Sequence, residues 1–511
     1  MKMPNSIGTY THENGGRVVV LFLLFSLAIF QFVTAGYSAF SLVCLSPGII
    51  LFGYAIFKWR MFGFWILLLV NYFIHFLARH QYLPGGIPMS MYNEMLEIML
   101  LSIVIIDSRQ TPHFERTGNL MLLALAAWCC FCTIEVLNDT CGLGINIGAW
   151  YTGARLMAFQ MLYIFLVFTI YISSPEQLIK YIRIWAVLSL FSAIWTLKQQ
   201  YLGFTDAEQA WLNGPGSRTH ILNAGTLIRY FSTFSDSANY GCNAGATAAS
   251  FIIFSITTKL RRDKIFFLVT ALAVIIGMFA SGTRTAIFCL GAGLAAYVVL
   301  SKSIKIAVPF SLAFLVFSFI LVFTTIGQGN QQIRRMRSAF NKDDASANVR
   351  DINKETMRKY IKDAPWGIGL GMGVENVPAN NKYTVLATIP PDSEYVFIWL
   401  RTGPIGLTIF IITTLLMFCG AAWVVMFRLH NRSLIGIGAG FCCSFVAIQL
   451  GGYGNQVLMQ FPNCLIFYGG LSIVYVLPYI EPAWEELEKK QIAEQEERKR
   501  LKLEKKLASR V

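Results

Sequence analysis

The feature that most constrains this chain is a succession of apolar runs, each long enough to cross a lipid bilayer. A membrane-spanning helix needs about 20 consecutive, mainly apolar residues. About fourteen such runs can be recognised. They cover residues 17–35, 38–57, 61–78, 91–106, 118–137, 154–172, 182–198, 238–258, 265–281, 284–300, 306–326, 404–427, 433–450 and 461–478. Only 14% of the residues are charged, against about 25% in a soluble domain, and the mean hydropathy is +0.54. The sequence therefore predicts an all-α polytopic membrane protein of about fourteen transmembrane helices.

The distribution of charge predicts how these helices are oriented. Short loops on one side carry fourteen Lys and Arg residues, whereas those on the other side carry four. Because cytoplasmic loops are enriched in Lys and Arg, both termini are predicted to be cytoplasmic. We therefore predict a transmembrane domain over residues 1–480, an external (periplasmic) loop inserted at 328–403, and a charged, helical cytoplasmic tail at 481–511.

The net charge of +14 does not indicate a nucleic-acid partner. Part of it is the loop bias just described, and much of the rest lies in the external loop. A basic surface at the membrane favours membrane lipids or other lipid-linked phosphates as partners. The sequence contains no GxGxxG motif and no Cys/His pair at the spacing of zinc ligands, so no cofactor and no metal is predicted.

Two outward-facing segments place an arginine beside an apolar span. Arg229 begins a polar stretch that leads into the run 238–258, and Arg284 lies in the tight turn Ser281-Gly282-Thr283-Arg284-Thr285. A cation at the membrane is costly unless it is paired. Each arginine therefore either extends to the lipid headgroups or points into a cavity and binds an anion.

The external loop contains three further features. Residues 348–361 have the pattern of an amphipathic helix, on which Arg350 and Arg358 are either solvated charges or phosphate ligands. The stretch Pro365–Gly373 has four alternate glycines, which indicate either a flexible turn or a loop that shapes a substrate site.

At the end of the loop, Asp392 and Glu394 are carboxylates of a kind that is usually solvated. Alternatively, Asp392 or Ser393 is the N-cap of the next helix, since both residue types are favoured there. The sequence leaves these two roles open.

These outward-facing segments, in this order, resemble the O-antigen ligase/polymerase superfamily of bacterial membrane glycosyltransferases. The resemblance covers roughly residues 180–450. The matching positions are Arg229 and Asn239, Ser281-Gly282-Thr283-Arg284, Arg350, Pro365-Trp366-Gly367-Ile368-Gly369, and Ser393 followed after nine residues by Gly403-Pro404-Ile405-Gly406. One position departs from the pattern, because Asp392 occupies the place of the ligases' histidine.

The resemblance implies an architecture of the GT-C glycosyltransferase type in the bacterial cytoplasmic (inner) membrane. It implies a glycan donor linked to undecaprenyl diphosphate and a glycan or lipid-linked acceptor. Arg229, Arg284 and Arg350 would bind the diphosphate, and Arg358 of the amphipathic helix is a further candidate for it. Arg284 would also act in the catalytic centre, where Asp392 or Glu394 would be the general base. A chain-length regulator or a flippase would be a candidate protein partner.

Asp392 favours a polymerase that joins glycan repeat units, because polymerases of the superfamily vary more at this position. The first alternative is a ligase that transfers finished glycan to lipid A core or to a protein. The second is a transporter or flippase for the lipid-linked glycan. A transporter predicts internal repeats and discontinuous spans, whereas this sequence concentrates its polar residues on one outer face.

Overall fold

A computed structural model describes residues 50–83, 88–107, 113–222, 227–301, 345–389 and 392–508, with isolated positions between 16 and 48 and between 308 and 337. For residues 345–351, 502–508 and three positions within 495–499 it describes the backbone alone. Within these ranges the regular secondary structure is helical, apart from one hairpin of two-residue strands.

The helices and strands follow one another in a simple order. They are α1 Arg60–Arg79, α2 Met89–Ile106, α3 Leu120–Ile134, α4 Ile147–Ala154, α5 Gln160–Tyr171, α6 Pro175–Tyr201, α7 Asp206–Asn213, α8 Ser217–His220, β1 Ile221–Leu222, β2 Leu227–Ile228, α9 Ser237–Thr257, α10 Arg261–Ala280, α11 Arg284–Leu300, α12 Ala345–Ile361, α13 Thr384–Thr388, α14 Glu394–Trp423, α15 Arg432–Gly454 and α16 Gly469–Ala508. A π-helical turn, Arg155–Phe159, joins α4 to α5, and another, Cys464–Tyr468, leads into α16.

Among the described residues, nine helices are long and apolar enough to cross a membrane. They are Arg60–Arg79, Met89–Ile106, Leu120–Leu137, Ile147–Tyr171, Pro175–Tyr201, Arg261–Ala280, Glu394–Arg428, Arg432–Gly454 and Cys464–Glu494. The protein is therefore an all-α polytopic membrane protein, as predicted, and nine of the predicted runs are confirmed.

The remaining five predicted runs have different outcomes. Two of them, 238–258 and 284–300, are the helices α9 and α11, of which α11 is apolar but only 17 residues long. The runs 17–35, 38–57 and 306–326 lie wholly or partly outside the described residues. The count of fourteen stays a prediction.

The chain divides into two compact units. The smaller comprises residues 1–66 and 103–109, and the larger comprises 67–102 and 110–511. In the smaller unit, Arg60 Nε donates to Asp107 Oδ2 at 2.8 Å. The larger unit contains the candidate site.

The core around α9 in the larger unit depends on small residues. Ala244, Ala248 and Ala249 of α9 are fully buried and lie in one cluster with Val274 of α10 and Ala286 of α11. Without large side chains, the backbones of these helices approach closely, as is typical of helix packing in membranes. This packing holds the ends of α10 and α11 against the start of α9.

The loop that is predicted to be external has a small core of its own. Met357 and Ile361 of α12 are buried together with Ile368 and Leu386. The predicted amphipathic helix is therefore present as α12, in which Ile352, although apolar, is 63% exposed. The face of α12 that packs into the core of the loop is the one that carries Met357 and Ile361.

The end of the loop differs from the boundary at 403. The helix α14 already begins at Glu394, and Gly403, with φ of 66°, interrupts its helical geometry. Hydropathy placed the boundary later because the first turns of α14 carry Glu394 and Arg401, which lower the mean hydropathy there.

The glycine stretch lies against this kink. Ile368 N and Gly369 N donate to the carbonyl oxygens of Leu400 and Arg401, each at 3.0 Å. Gly367 has φ of 74°, and a Cβ on it would approach Gly403 N to 2.5 Å. The glycines therefore allow the backbone of this stretch to pack closely against that of α14. Neither of the two predictions for the stretch, a flexible turn or a loop that shapes a substrate site, included this packing.

Candidate functional site

Arg229 is positioned by the hairpin before α9. The strands β1 and β2 pair antiparallel, and Arg229 N donates to His220 O at 3.0 Å. Its guanidinium donates from Nη1 to Thr219 O and from Nη2 to Thr283 Oγ1, both at 3.0 Å. The third nitrogen, Nε, is buried without a hydrogen-bond partner. Arg229 is thus held at a fixed place, and its Nε–H remains unused.

The turn 281–285 brings Arg284 to the same place. Gly282 has φ of 59°, which suits glycine and tightens the turn between α10 and α11. Thr283 Oγ1, which accepts from Arg229, donates in turn to Ser237 O at 2.7 Å. Arg284 is the first residue of α11 and is partly buried.

A third arginine, Arg335, contacts the same turn. Arg335 Nε donates to Gly282 O at 3.0 Å. Arg335 and Arg284 both act electrostatically on Arg229. We call Arg229, Arg284 and Arg335 the arginine cluster.

The arginine cluster has an excess of positive charge. Burial, followed by the charge of Arg335, lowers the pKa of Arg229 to about 10, while Asp236 opposes the shift. Asp236 is itself engaged, because its Oδ1 caps α9 by accepting from Ala238 N and Asn239 N at 2.8 and 2.9 Å. Three guanidinium groups that lie at one place form a site that an anion would stabilise.

The end of the loop, at Ser393 and Glu394, lies against the C-terminal end of α15 and the residues that follow it. Ser393, the N-cap of α14, donates from Oγ to Gly452 O at 3.0 Å and makes no side-chain capping bond. Glu394 is 3% exposed and accepts from Leu458 N at 3.0 Å. Asp392 is exposed immediately before them. Of the two carboxylates, Asp392 is therefore the accessible one.

Two more contacts connect this end of α15 with the other motifs. Asn455 Nδ2 donates to Thr285 Oγ1 at 2.9 Å, next to Arg284. Lys354 of α12 lies over the ring of Tyr453, 5.5 Å from its centroid. The turn, the loop helix and the loop end therefore meet around residues 452–455.

Comparison with known proteins agrees with this geometry. A family model described as O-antigen ligase matches residues 267–411. This region is similar to the O-antigen ligase family. The match confirms the resemblance to the O-antigen ligase/polymerase superfamily, and no curated protein was found as a relative.

The region that matches the O-antigen ligase family model contains part of the site. It spans α10, α11, the external loop and the first half of α14, and so includes Arg284, Arg335 and Asp392. Arg229 precedes the matched region, and the contacts around Gly452 and Asn455 follow it. The site is therefore completed by segments on both sides of the matched region.

The remaining predicted site residues are placed differently. Arg358 lies on the exposed face of α12, and the side chain of Arg350 lies outside the described residues. The structure brings together Arg229 and Arg284, and the roles of Arg350, Arg358, Asp392 and Glu394 stay predictions.

Sequence reasoning did not single out Arg335 or His220. Arg335 is one of eleven Lys and Arg residues between 328 and 403, and contact with Gly282 distinguishes it. His220 is 2% exposed, and its Nε2 lies 3.0 Å from Ser237 N, which must donate to it. Burial, with a contribution from the charge of Arg229, lowers the pKa of His220 to about 4, so the ring is neutral at pH 7.

Proposed function

We propose that this protein is an O-antigen ligase-type membrane glycosyltransferase that transfers a glycan from undecaprenyl diphosphate to an acceptor hydroxyl. The observation that carries the proposal is the arginine cluster, which joins the lead-in to α9, the turn at Arg284 and the external loop. A diphosphate leaving group requires charge neutralisation, and three preorganised guanidinium groups can supply it.

The chemistry assigns a role to each part of the site. The bond between the anomeric carbon and the diphosphate oxygen breaks, and the acceptor oxygen forms the new glycosidic bond. The leaving diphosphate keeps the electron pair, and its charge is stabilised by Arg229, Arg284 and Arg335. Asp392 accepts the acceptor's proton, because it is the exposed carboxylate at the loop end.

We further propose the topology and the environment that this reaction needs. The site faces the outer side of the bacterial inner membrane, both termini are cytoplasmic, and the complete chain has about fourteen spans with a GT-C type architecture. The bias of fourteen against four basic residues in the short loops supports this orientation.

A direct test uses the purified protein in liposomes with its lipid-linked donor and acceptor. Arg284→Ala and Arg229→Ala should each lower the release of undecaprenyl diphosphate at least about 100-fold, as expected for loss of a transition-state charge partner. Arg334→Ala, an exposed neighbour, is the matched control and should retain activity. Full activity in Arg284→Ala would contradict the proposal.

Polymerisation of repeat units is the second candidate, favoured by Asp392 in place of the ligases' histidine. The family match favours the ligase alternative over this reading. The surface glycan of a strain lacking the gene, resolved by size, separates the two. Long glycan stranded on the carrier indicates a ligase, whereas single repeat units attached to the final acceptor indicate a polymerase.

A further inference from the structure

The segment 455–463 connects α15 to the π-turn before α16 and lies outside the region that matches the O-antigen ligase family model. No motif identified in the sequence includes it. In the structure, however, it contacts the lead-in to α9, the turn at Arg284 and the end of the external loop. We call it the connecting segment.

A buried ladder of amides holds one end of the connecting segment. Asn463 Nδ2 donates to Asn239 Oδ1 at 2.5 Å and to Val457 O at 3.0 Å, while Asn463 Oδ1 accepts from Asn243 Nδ2 at 2.8 Å. Asn239 Nδ2 also donates to Phe461 O at 2.9 Å. Asn239 and Asn463 are fully buried. Since these buried amides are extensively bonded, the backbone of the segment is fixed relative to α9.

Contacts to the other motifs fix the rest of the segment. Glu394 accepts from Leu458 N, and Asn455 donates to Thr285, as described above. Ser235 Oγ lies 2.6 Å from Gln460 Oε1. The connecting segment is therefore a rigid element between the arginine cluster and the loop end.

Polar amide side chains on this rigid element remain accessible. Gln456 and Gln460 are partly exposed, whereas Val457, Leu458 and Met459 between them are buried. A carboxamide offers both donors and an acceptor, and so complements the hydroxyl groups of a sugar. A few such groups on a rigid frame are what orients a polar ligand.

We propose that Gln456 and Gln460 bind the sugar of the donor that is attached directly to the diphosphate. This inference rests on the proposed function, because it takes the arginine cluster as the diphosphate site. The first sugar is covalently bonded to the diphosphate, so its binding groups must lie beside that site. The connecting segment meets this condition through the contact of Asn455 with Thr285, the neighbour of Arg284.

The test compares two ligands on the full-length protein in detergent. One is the lipid-linked glycan extracted from a strain that lacks the gene and accumulates the donor, and the other is bare undecaprenyl diphosphate. Gln456→Ala and Gln460→Ala should each weaken binding of the glycan-bearing donor about tenfold, the effect of one lost hydrogen bond, and change binding of the bare carrier less than about twofold. Gln209→Ala, at an exposed glutamine of α7, is the matched control and should affect neither ligand.

The outcomes separate this inference from the proposed function. If the two variants weaken both ligands equally, or weaken neither, sugar binding by the connecting segment is refuted. If Arg284→Ala then still abolishes carrier release, the proposed function stands without it. If Arg284→Ala leaves carrier release unchanged, the proposed function itself fails. Thermal midpoints equal to that of the unmodified protein establish that the variants are folded.

Discussion

Arg229 Nη2 donates a hydrogen bond to Thr283 Oγ1 across 3.0 Å, and the same oxygen donates to Ser237 O at 2.7 Å. One hydroxyl thus connects the hairpin, the turn between α10 and α11, and the start of α9. The guanidinium of Arg229 depends on Thr283 for its orientation as well as on the hairpin.

We therefore expect Thr283→Val to impair the site although it preserves the shape of the side chain. The change leaves Arg229 Nη2 and Ser237 O without this partner, which costs about 1–3 kcal/mol for a buried polar group. The thermal midpoint in detergent and the rate of carrier release should both fall. Thr283→Ser, which keeps the hydroxyl, should recover most of both, and equal loss in the two variants would show that the methyl group matters instead.

Arg335→Ala should weaken binding of undecaprenyl diphosphate, because it removes one of three charges from the arginine cluster. We expect a loss of about tenfold or more at low salt, and a smaller difference at high salt because ions screen a partly exposed charge. Affinity measured at two ionic strengths tests this. Arg334→Ala is the exposed control, and an equal loss in it would indicate general attraction by the loop charge.

The stability of the hairpin region should fall in acid because of His220. Its pKa is about 4 in the folded protein and 6.5 in the unfolded chain, so the unfolded state binds more protons between these values. Stability is then unaffected by this residue above about pH 6.5, decreases as the pH falls from 6.5 to 4, and loses at most about 3 kcal/mol.

Thermal midpoints measured in detergent between pH 7.5 and 4.5 follow this loss. In His220→Gln, which retains a donor and an acceptor but does not titrate, the decrease across the window should be smaller. The same decrease in both proteins would assign it to other groups.

The two carboxylates at the loop end should respond differently to removal of their charge. Asp392→Asn should lower the rate of transfer with little change in thermal midpoint, because the residue is exposed. Glu394→Ala should lower the midpoint, since Leu458 N loses its acceptor at a buried position, at a cost of about 1–3 kcal/mol. A fully active, stable Asp392→Asn protein would remove Asp392 from the mechanism.

Gly367→Ala tests the packing of the glycine stretch on α14. The residue has φ of 74°, and a Cβ would meet the backbone of Arg401 and Gly403. We expect a loss of more than about 1 kcal/mol, seen as a lower thermal midpoint. Gly373→Ala, where the added Cβ would meet only the end of the Glu375 side chain, is the control and should be tolerated.

The amino-acid sequence by itself determined the class of this protein. Apolar runs of membrane length predict spanning helices because each span must satisfy its backbone hydrogen bonds internally, and nine of them are confirmed. The order of short motifs predicted the superfamily, and the resemblance to that superfamily implied that Arg229 and Arg284 share one diphosphate site.

Tertiary structure alone decided which polar groups share the site. Arg335 is one of many basic residues in its loop until its contact with Gly282 distinguishes it. Glu394 and Asp392 are two residues apart, yet one accepts a backbone N–H in the interior and the other is exposed. The connecting segment has no sequence motif because its position is fixed by the backbone of Leu458 and by amides contributed by α9. Such roles depend on long-range contacts, which local sequence patterns do not encode.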